Sequence, residues 1–187
     1  TLDRSSAASD VYKRQALNLV PIREGQTDKD AINDMVALAQ KLDELDYERY
    51  WIAEHHNAPN LVSSATSLLI QHTLEHTHNI KVGSGGIMLP NHAPLVVAEQ
   101  FGTLETIYPN RVDLGLGRAP GTDMMTASAL RRDQHNGVYA FPEEVEQLQT
   151  YFGPGNKQAY VRAYPAVDKN VPLYICLLYT SDAADER

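Results

Sequence analysis

Four polar side chains, Glu54, His55, His56 and Asn57, follow a short run of strand-forming residues. A histidine changes its charge near neutral pH and can move a proton, and a neighbouring carboxylate can set which ring nitrogen carries that proton. The alternative is an ordinary polar loop between a strand and a helix. Because functional residues of parallel α/β folds follow the carboxyl ends of strands, we predict a catalytic group made of His55, Glu54 and His56.

Two further segments follow apolar runs and have compositions suited to ligands. Gly83-Ser84-Gly85-Gly86 lets a flat ligand lie against the backbone, although it lacks the GxGxxG spacing of a dinucleotide-binding turn. Its alternative interpretation is a tight barrel corner. Arg118 stands among glycines in the segment 115–123, where a guanidinium could bind a phosphate or a carbonyl through paired donors. Its alternative is a surface ion pair.

A metal-binding pattern also occurs, but its position argues against a metal site. Residues 72–76 read HTLEH, which matches the HxxEH pattern of zinc peptidases, and His76-Thr77-His78 gives an HxH pair. Both precede the third predicted strand and therefore belong to the edge of the sheet opposite the functional one. We predict no metal ligands in this chain.

Apolar patterning indicates strands that alternate with helices, which predicts an α/β fold with a parallel sheet. Thr27 and Asp30 have the spacing of a capping box, and apolar residues at helical spacing follow up to Leu45. Ala65, Leu68 and Leu69 should face the core from the next helix, which is predicted at residues 63–76. The predicted strands are residues 17–22, 48–53, 80–83, 112–116 and 171–175, and the sheet closes either as a doubly wound sheet or as a (β/α)8 barrel.

Composition excludes several classes of protein. The chain has 187 residues, 43% of them hydrophobic, with a net charge of −8, so it is neither a disordered chain nor a basic nucleic-acid binder. It contains one cysteine and no apolar run near the roughly 20 residues of a membrane helix, which favours a cytoplasmic protein without disulfides.

Both ends have sequences that resemble the two reading directions of one translated sequencing adapter. SDVYKRQ occurs near the start and CLLYTSD near the end, and their codons can be written as reverse complements. We therefore predict non-native segments at 1–15 and 176–187 and a partial domain at 16–175, a fragment open at both ends.

Three strings together resemble the luciferase-like flavin monooxygenases of the non-luminescent branch. They are YWIAEHHN at 50–57, the long string from VGSGGIMLPNHAPL to GLGRAPGTD at 82–123, and FPEEV at 141–145. The resemblance implies the N-terminal half of a (β/α)8 TIM barrel, incomplete as given. It also implies reduced FMN as cofactor, O2 and a small organic molecule as substrates, a flavin reductase as supplier, and a homodimer.

The resemblance also assigns roles to residues. The family's proton-handling histidine falls on His55, with Glu54 and His56 beside it. The flavin-binding backbone, often with a non-proline cis peptide, falls on Ser84, Gly85 and Gly86. The phosphate contact falls on Arg118, next to Gly117, which replaces a reactive cysteine of the luminescent relatives. The fragment itself is expected to be inactive.

Three alternatives remain open at this point. Coenzyme F420 could replace FMN, as in cousins of the family. The chain could be a non-catalytic flavin-binding barrel protein, because a fold does not fix its chemistry. A metal-dependent barrel hydrolase that uses the histidines is the third alternative.

Overall fold

The computed structural model describes residues 14–119, 122–131 and 139–176 as one five-stranded sheet with helices. All four strand pairings are parallel, and the spatial order β1-β2-β3-β4-β5 follows the chain. The strands are β1 (Gln15–Asn18), β2 (Arg49–Ile52), β3 (Lys81–Met88), β4 (Val112–Gly117) and β5 (Leu173–Cys176). The helices are α1 (Asp28–Glu44), α2 (Thr66–Glu75), α3 (Pro94–Ile107), α4 (Met124–Leu130) and α5 (Phe141–Phe152), with 3₁₀ turns at Leu89–Asn91 and Pro154–Lys157. The predicted α/β class and strand order are confirmed.

Helix α1 begins where the capping box predicts. The hydroxyl of Thr27 accepts the backbone N–H of Asp30, and the Asp30 carboxylate accepts the backbone N–H of Thr27 at 2.8 Å. Both orphan donors of the first turn are therefore satisfied. The buried residues of α1 recur at helical spacing and pack on the sheet; they are Ala31, Met35, Val36, Ala39 and Leu42.

Alternation along β2 separates two faces of the sheet. Tyr50 and Ile52 are fully buried on the helix side, and the Tyr50 hydroxyl donates to the Met35 carbonyl of α1. Arg49 and Trp51 point to the other face, where the indole of Trp51 packs edge-on against Tyr174 with ring centroids 5.2 Å apart. The helix-side core continues across β3 and β4 through Val82, Leu114 and Leu116.

The strand boundaries differ most from the prediction at β1 and β3, whereas those of the other three strands shift by at most two residues. Strand β1 covers 15–18 rather than 17–22, and Val20 beyond it has a positive φ of 54°. Strand β3 runs to Met88 rather than ending at 83, so the glycine string lies inside the strand. It does so because Gly83 and Ser84 stay paired to β2, whereas the register against β4 shifts between Ser84 and Ile87. The peptide bond between Gly85 and Gly86 is cis.

Helix α2 also departs from its predicted bounds. It covers 66–75 rather than 63–76, and Leu68 is 68% exposed although it was expected to face the core. Ala65, which was also expected to face the core, is exposed as well, since residues three apart lie on the same face of a helix. Leu69 and Ile70 take the buried positions instead.

The predicted non-native ends fall mostly outside the described residues. Of segment 1–15 only Arg14 and Gln15 are described, and of segment 176–187 only Cys176. Gln15 is the first residue of β1, and Cys176 is the last residue of β5. Among the described helices, none combines the length and the apolar character required to cross a membrane.

Candidate active site

The predicted site residues follow the carboxyl ends of neighbouring strands. Glu54 to Asn57 come after β2, Gly85 and Gly86 lie in the second half of β3, and Arg118 follows β4. Parallel strands end at the same edge, so this edge gathers them. His72 and His76 instead belong to the C-terminal end of α2, and His78 comes before β3 at the opposite edge.

Two hydrogen bonds tie the loop after β2 to the loop after β4. The amide of Asn57 donates to the Asp123 carboxylate at 3.1 Å, and the Thr122 hydroxyl donates to the His56 carbonyl at 3.2 Å. Asp123 also caps α4 by accepting the N–H groups of Met125 and Thr126. The start of α4 therefore fixes the backbone of His56 from across β3.

Glu54 is a deeply buried carboxylate at this edge. Its side chain is 1% exposed, and its Oε1 lies 2.7 Å from Nε2 of His56 and 2.8 Å from Nε2 of His92. Its Oε2 accepts the backbone N–H of Met88 at 2.9 Å. Asn91 approaches the same Oε1 at 3.4 Å. Two chain segments, residues 54–56 and 88–92, thus meet on one buried carboxylate.

The surroundings of Glu54 favour its ionised form. Burial alone would raise the pKa of this carboxyl, but the hydrogen bonds from His56, His92 and the Met88 N–H lower the pKa to about 2. Glu54 is therefore an anion at neutral pH and can act only as a hydrogen-bond acceptor there.

His55 differs from His56 in its contacts. Its backbone N–H donates to the Ser63 carbonyl, whereas its ring Nδ1 is buried and has no hydrogen-bond partner among the described residues. A buried, unpartnered ring nitrogen at this edge is suited to a partner that a bound molecule supplies.

The predicted cofactor-binding residues have different surroundings. The Ser84 side chain is fully buried, and its hydroxyl donates to the Gly115 carbonyl at 2.8 Å and accepts the Gly115 N–H at 3.1 Å. This hydroxyl therefore ties β3 to β4. Gly86 and Gly117 leave backbone without side chains beside Cys176 and Met88, and Arg118 is exposed.

Glu54, His56 and His92 are also the one group of three ligand atoms close enough to hold a metal ion within the described ranges. The HxxEH residues form no such group there, because Nδ1 of His76 bonds to the His72 carbonyl at 2.8 Å. The chemistry of the Glu54 group is nonetheless that of a carboxylate–histidine network, and its Nε2–Oε1 distances are those of hydrogen bonds.

His92 is the residue of this network that the sequence analysis missed. It follows the 3₁₀ turn after β3 as a single histidine beside Pro94, with no spacing relation to Glu54. Its position after the third strand, two residues before a helix, was the available signal, because that is where loop residues reach the functional edge.

Comparisons with known proteins concern the family and the fold. The family model for luciferase-like monooxygenases matches residues 16–157. The Bacillus subtilis protein YddN is 52% identical over 169 residues, which are 90% of this chain and 50% of YddN. A luciferase-like monooxygenase of Escherichia coli K12 is 45% identical over 85% of the chain and 48% of its own length. N-acetyl-S-alkylcysteine monooxygenase of B. subtilis is 35% identical over 82% of the chain and 47% of its own length.

Solved structures share the fold. Apo-MsnO8 superposes with a TM-score of 0.79 at 34% identity, over 87% of this chain and 48% of its own. The oxygenating constituent of 3,6-diketocamphane monooxygenase of Pseudomonas putida, solved with FMN, has a TM-score of 0.70 at 16% identity, over 87% of this chain and 50% of its own. An F420-dependent secondary alcohol dehydrogenase has a TM-score of 0.60 at 15% identity, over 87% and 52%. The last two likenesses concern the fold alone.

The chain spans about half the length of the curated relatives it matches. The family match nevertheless covers most of the chain, and it includes the strands and loops that carry the Glu54 network. By sequence and by fold, the chain belongs to the luciferase-like monooxygenase family.

Proposed function

We propose that the whole protein, whose relatives are about twice as long as this chain, uses reduced FMN and O2 to oxidise a small organic molecule. The observation that carries the proposal is the buried, ionised Glu54 bound to two histidines at the strand ends of a luciferase-like monooxygenase fold. Supply of reduced flavin by a separate reductase, a homodimeric assembly and a cytoplasmic location belong to the same proposal.

The residues present fit a flavin. His55 offers an unpartnered ring nitrogen, Gly85 and Gly86 offer backbone without side chains, and the exposed guanidinium of Arg118 is suited to a phosphate. We assign the ring to the backbone at Gly85 and Gly86 and the phosphate to Arg118. When bound, reduced flavin supplies the electrons that activate O2.

The chain's own residues would handle protons. Glu54 holds the His56 ring in a fixed orientation, and its burial keeps water from competing for the carboxylate. An imidazole oriented in this way can take a proton from a reacting group and return it later. His55, the family's expected proton-handling residue, lies next to it on the same loop.

FMN rather than F420 is the proposed cofactor because the strings at 54–57 and 115–123 resemble the FMN-dependent branch. Binding measurements separate the two directly. Titration of the whole protein with FMN, and in parallel with F420, should give a micromolar or tighter dissociation constant for FMN only. A preference for F420 would overturn the cofactor assignment.

The activity test supplies the whole protein with NADH, a flavin reductase and FMN under air. A panel of thioethers, beginning with N-acetyl-S-alkylcysteines because one relative acts on them by name, is then analysed by mass spectrometry for products that have gained one oxygen atom. Flavin binding without any oxygenated product from a broad panel would favour the non-catalytic flavin-binding alternative. Hydrolysis products that form without flavin, require a metal and disappear on addition of EDTA would favour the hydrolase alternative.

The 187-residue chain by itself should bind FMN weakly or not at all, and it should be inactive. Binding energy at the phosphate group helps to position the reactive ring. A site that lacks some of the phosphate contacts therefore binds the flavin more weakly and also positions its ring less well. Flavin fluorescence during titration of the purified chain tests this. Stoichiometric micromolar binding by a monodisperse chain would show that these residues suffice.

A further inference from the structure

Two histidines from different loops share one oxygen of the Glu54 carboxylate. His56 comes from the loop after β2 and His92 from the loop after β3, and both present Nε2 to Oε1, at 2.7 and 2.8 Å. The other oxygen, Oε2, is occupied by the Met88 backbone N–H. The carboxylate thus has a defined orientation, with its backbone-bound oxygen on one side and its histidine-bound oxygen on the other.

This arrangement determines where the ring protons lie. A backbone N–H can only donate and an ionised carboxylate can only accept, so each histidine must donate its Nε2 proton to Oε1. The neutral ring of His56 is then the tautomer that carries hydrogen on Nε2 and a lone pair on Nδ1. The same reasoning gives His92 the same tautomer.

The spacing of the three atoms favours hydrogen bonds over a bound metal. Atoms that coordinate one tetrahedral zinc ion at about 2.0–2.1 Å lie about 3.3 Å from one another. The two measured separations of 2.7 and 2.8 Å are shorter than that, and they match ordinary N–H···O distances.

We propose that Glu54 and His92 are positioning residues that together hold His56 in its Nε2–H tautomer, so that Nδ1 of His56 is the basic nitrogen presented for catalysis. His92 holds the carboxylate from the β3 side, while Met88 fixes its second oxygen. The catalytic part of this proposal rests on the proposed function, whereas the tautomer assignment stands without it.

The other charged groups near the network act through the backbone of His92. Arg131 at the end of α4 donates to the His92 carbonyl at 3.0 Å and forms an ion pair with Glu144 of α5 at 2.6 Å. On the opposite side, a cavity of about 270 Å³ lies between the start of α2 and α3, lined by Glu54, His92 and Gln100 among others. No Lys, Arg, Asp or Glu other than Glu54 lines this cavity among the described residues.

Nitrogen-15 NMR of the histidine-labelled whole protein at pH 7 tests the tautomer. Signals are assigned by their loss in His56→Gln and His92→Gln. The expected spectrum shows a protonated Nε2 and an unprotonated Nδ1 for both rings. A protonated Nδ1 on His56 in the unaltered protein would overturn the proposal, whatever the activity of the enzyme.

Glu54→Gln should invert both tautomers. The Met88 N–H requires an oxygen, so the new amide NH₂ takes the Oε1 position, donates to the two Nε2 atoms and displaces the Asn91 amide that donates to Oε1 in the unaltered protein. Each ring must then carry its proton on Nδ1. A wrong tautomer costs up to about 10⁴-fold in kcat in a serine protease, and here we expect a loss of about tenfold or more with little change in FMN affinity.

Substitutions at His92 test whether its hydrogen bond to the Glu54 carboxylate matters for activity. His92→Gln retains an N–H donor for Oε1 and should keep kcat within about threefold, whereas His92→Leu removes the donor and should lower kcat about tenfold or more. His78→Gln, at the opposite edge of the sheet, is the matched control and should change neither kcat nor the signals of His56 and His92. Equal activity of His92→Leu and the unaltered protein would overturn the role of His92.

Zinc provides the competing outcome. Addition of ZnCl₂ should leave the His56 and His92 signals in place. Stoichiometric zinc binding that shifts both signals, and that Glu54→Gln abolishes, would overturn the proposal in favour of a metal site. A tautomer result as expected, combined with a protein that oxygenates nothing, would instead contradict the proposed function alone.

Discussion

Arg49 on β2 forms an ion pair with Asp113 on β4 across the strand between them, with Nε and Oδ2 2.8 Å apart. The Arg49 side chain is 11% exposed and that of Asp113 is 2% exposed. On β3 the residue in register with Asp113 is Gly83, and the space that a side chain there would take is filled by the Trp51 ring. Arg49 also donates to the Tyr174 hydroxyl of β5, so one side chain links three strands of the sheet.

Replacement of Asp113 by Asn should strongly destabilise the fold. Burial alone would lower the pKa of Arg49, but the hydrogen bond and charge of Asp113 raise it. Removal of one partner of a buried pair leaves an uncompensated charge and costs about 3–5 kcal/mol of unfolding free energy. Urea unfolding of the whole protein measures the loss. Lys157→Ala removes the exposed pair with Asp168 and should cost at most about 1 kcal/mol; similar losses for both variants would contradict this.

Two glycines on the same strand should differ in their tolerance of a methyl group. A Cβ at Gly115 would collide with the backbone carbonyl of Ser84, whereas a Cβ at Gly117 would meet the flexible thioether of Met88, 2.5 Å away. Backbone cannot withdraw as a side chain can, so Gly115→Ala should cost about 3 kcal/mol or more and Gly117→Ala about 1 kcal/mol. Thermal unfolding compares the two. A reversed order would show that Met88 is held more rigidly than its chemistry suggests.

The carboxylate of Asp43 should make the free energy of unfolding depend on pH in the acidic range. It accepts the backbone N–H groups of His78 at 2.6 Å and Ile80 at 2.8 Å, just before β3. Burial would raise its pKa, but these hydrogen bonds, one from Asn79 and the charge of Arg111 lower the pKa below its ordinary value. The folded pKa is therefore below the unfolded one of about 3.9, so the stabilisation is present above that pH and disappears as the pH falls through the folded pKa.

Asp43→Asn measures this contribution. At pH 7 the substitution should cost about 1.5–3 kcal/mol, as expected for hydrogen bonds to a charged group. The difference from the unaltered protein should shrink once the pH falls below about 4. Asp34→Asn, in the exposed pair with Arg23, serves as control with a small effect at every pH. A difference for Asp43→Asn that stays constant down to pH 2 would refute the assignment.

The ion pair of Arg131 and Glu144 should behave as a coupled unit. Glu144 is 4% exposed, its Oε2 has no partner among the described residues, and its Oε1 bonds to Arg131. Arg131→Met should therefore cost about 3–5 kcal/mol, whereas Arg131→Met combined with Glu144→Leu should recover most of it. A double-mutant cycle from urea unfolding supplies the coupling free energy. Additive losses would mean that the two charges are solvated independently.

The sequence predicted the elements whose signals are local. The capping box at Thr27 places the start of α1, and the order of the five parallel strands follows from alternating apolar runs. The family resemblance implied a non-proline cis peptide in the glycine string, and the bond between Gly85 and Gly86 is cis. These features depend on neighbouring residues or on a motif, and both can be read directly.

Features that depend on distant contacts were not predictable. Strand β3 continues through the glycine string because β2 and β4 supply hydrogen-bond partners, whereas the string by itself reads as a loop. His92 joins Glu54 from 38 positions along the chain, and no spacing rule links them. The exposed Leu68 shows the same limit, because the choice of helix face depends on how α2 meets the sheet.

The hydrogen bonds between Asn57 and Asp123 and between Thr122 and His56 have a consequence for exchanging parts among relatives. A chimera that takes the loop after β2 from one family member and the loop after β4 from another would combine two loops whose hydrogen-bond partners do not match. The backbone of His56 would then lose its lateral support even though every residue of the Glu54 network was retained. The two loops therefore form one structural unit, although the bonded residues are 66 positions apart in sequence, and they should be exchanged together.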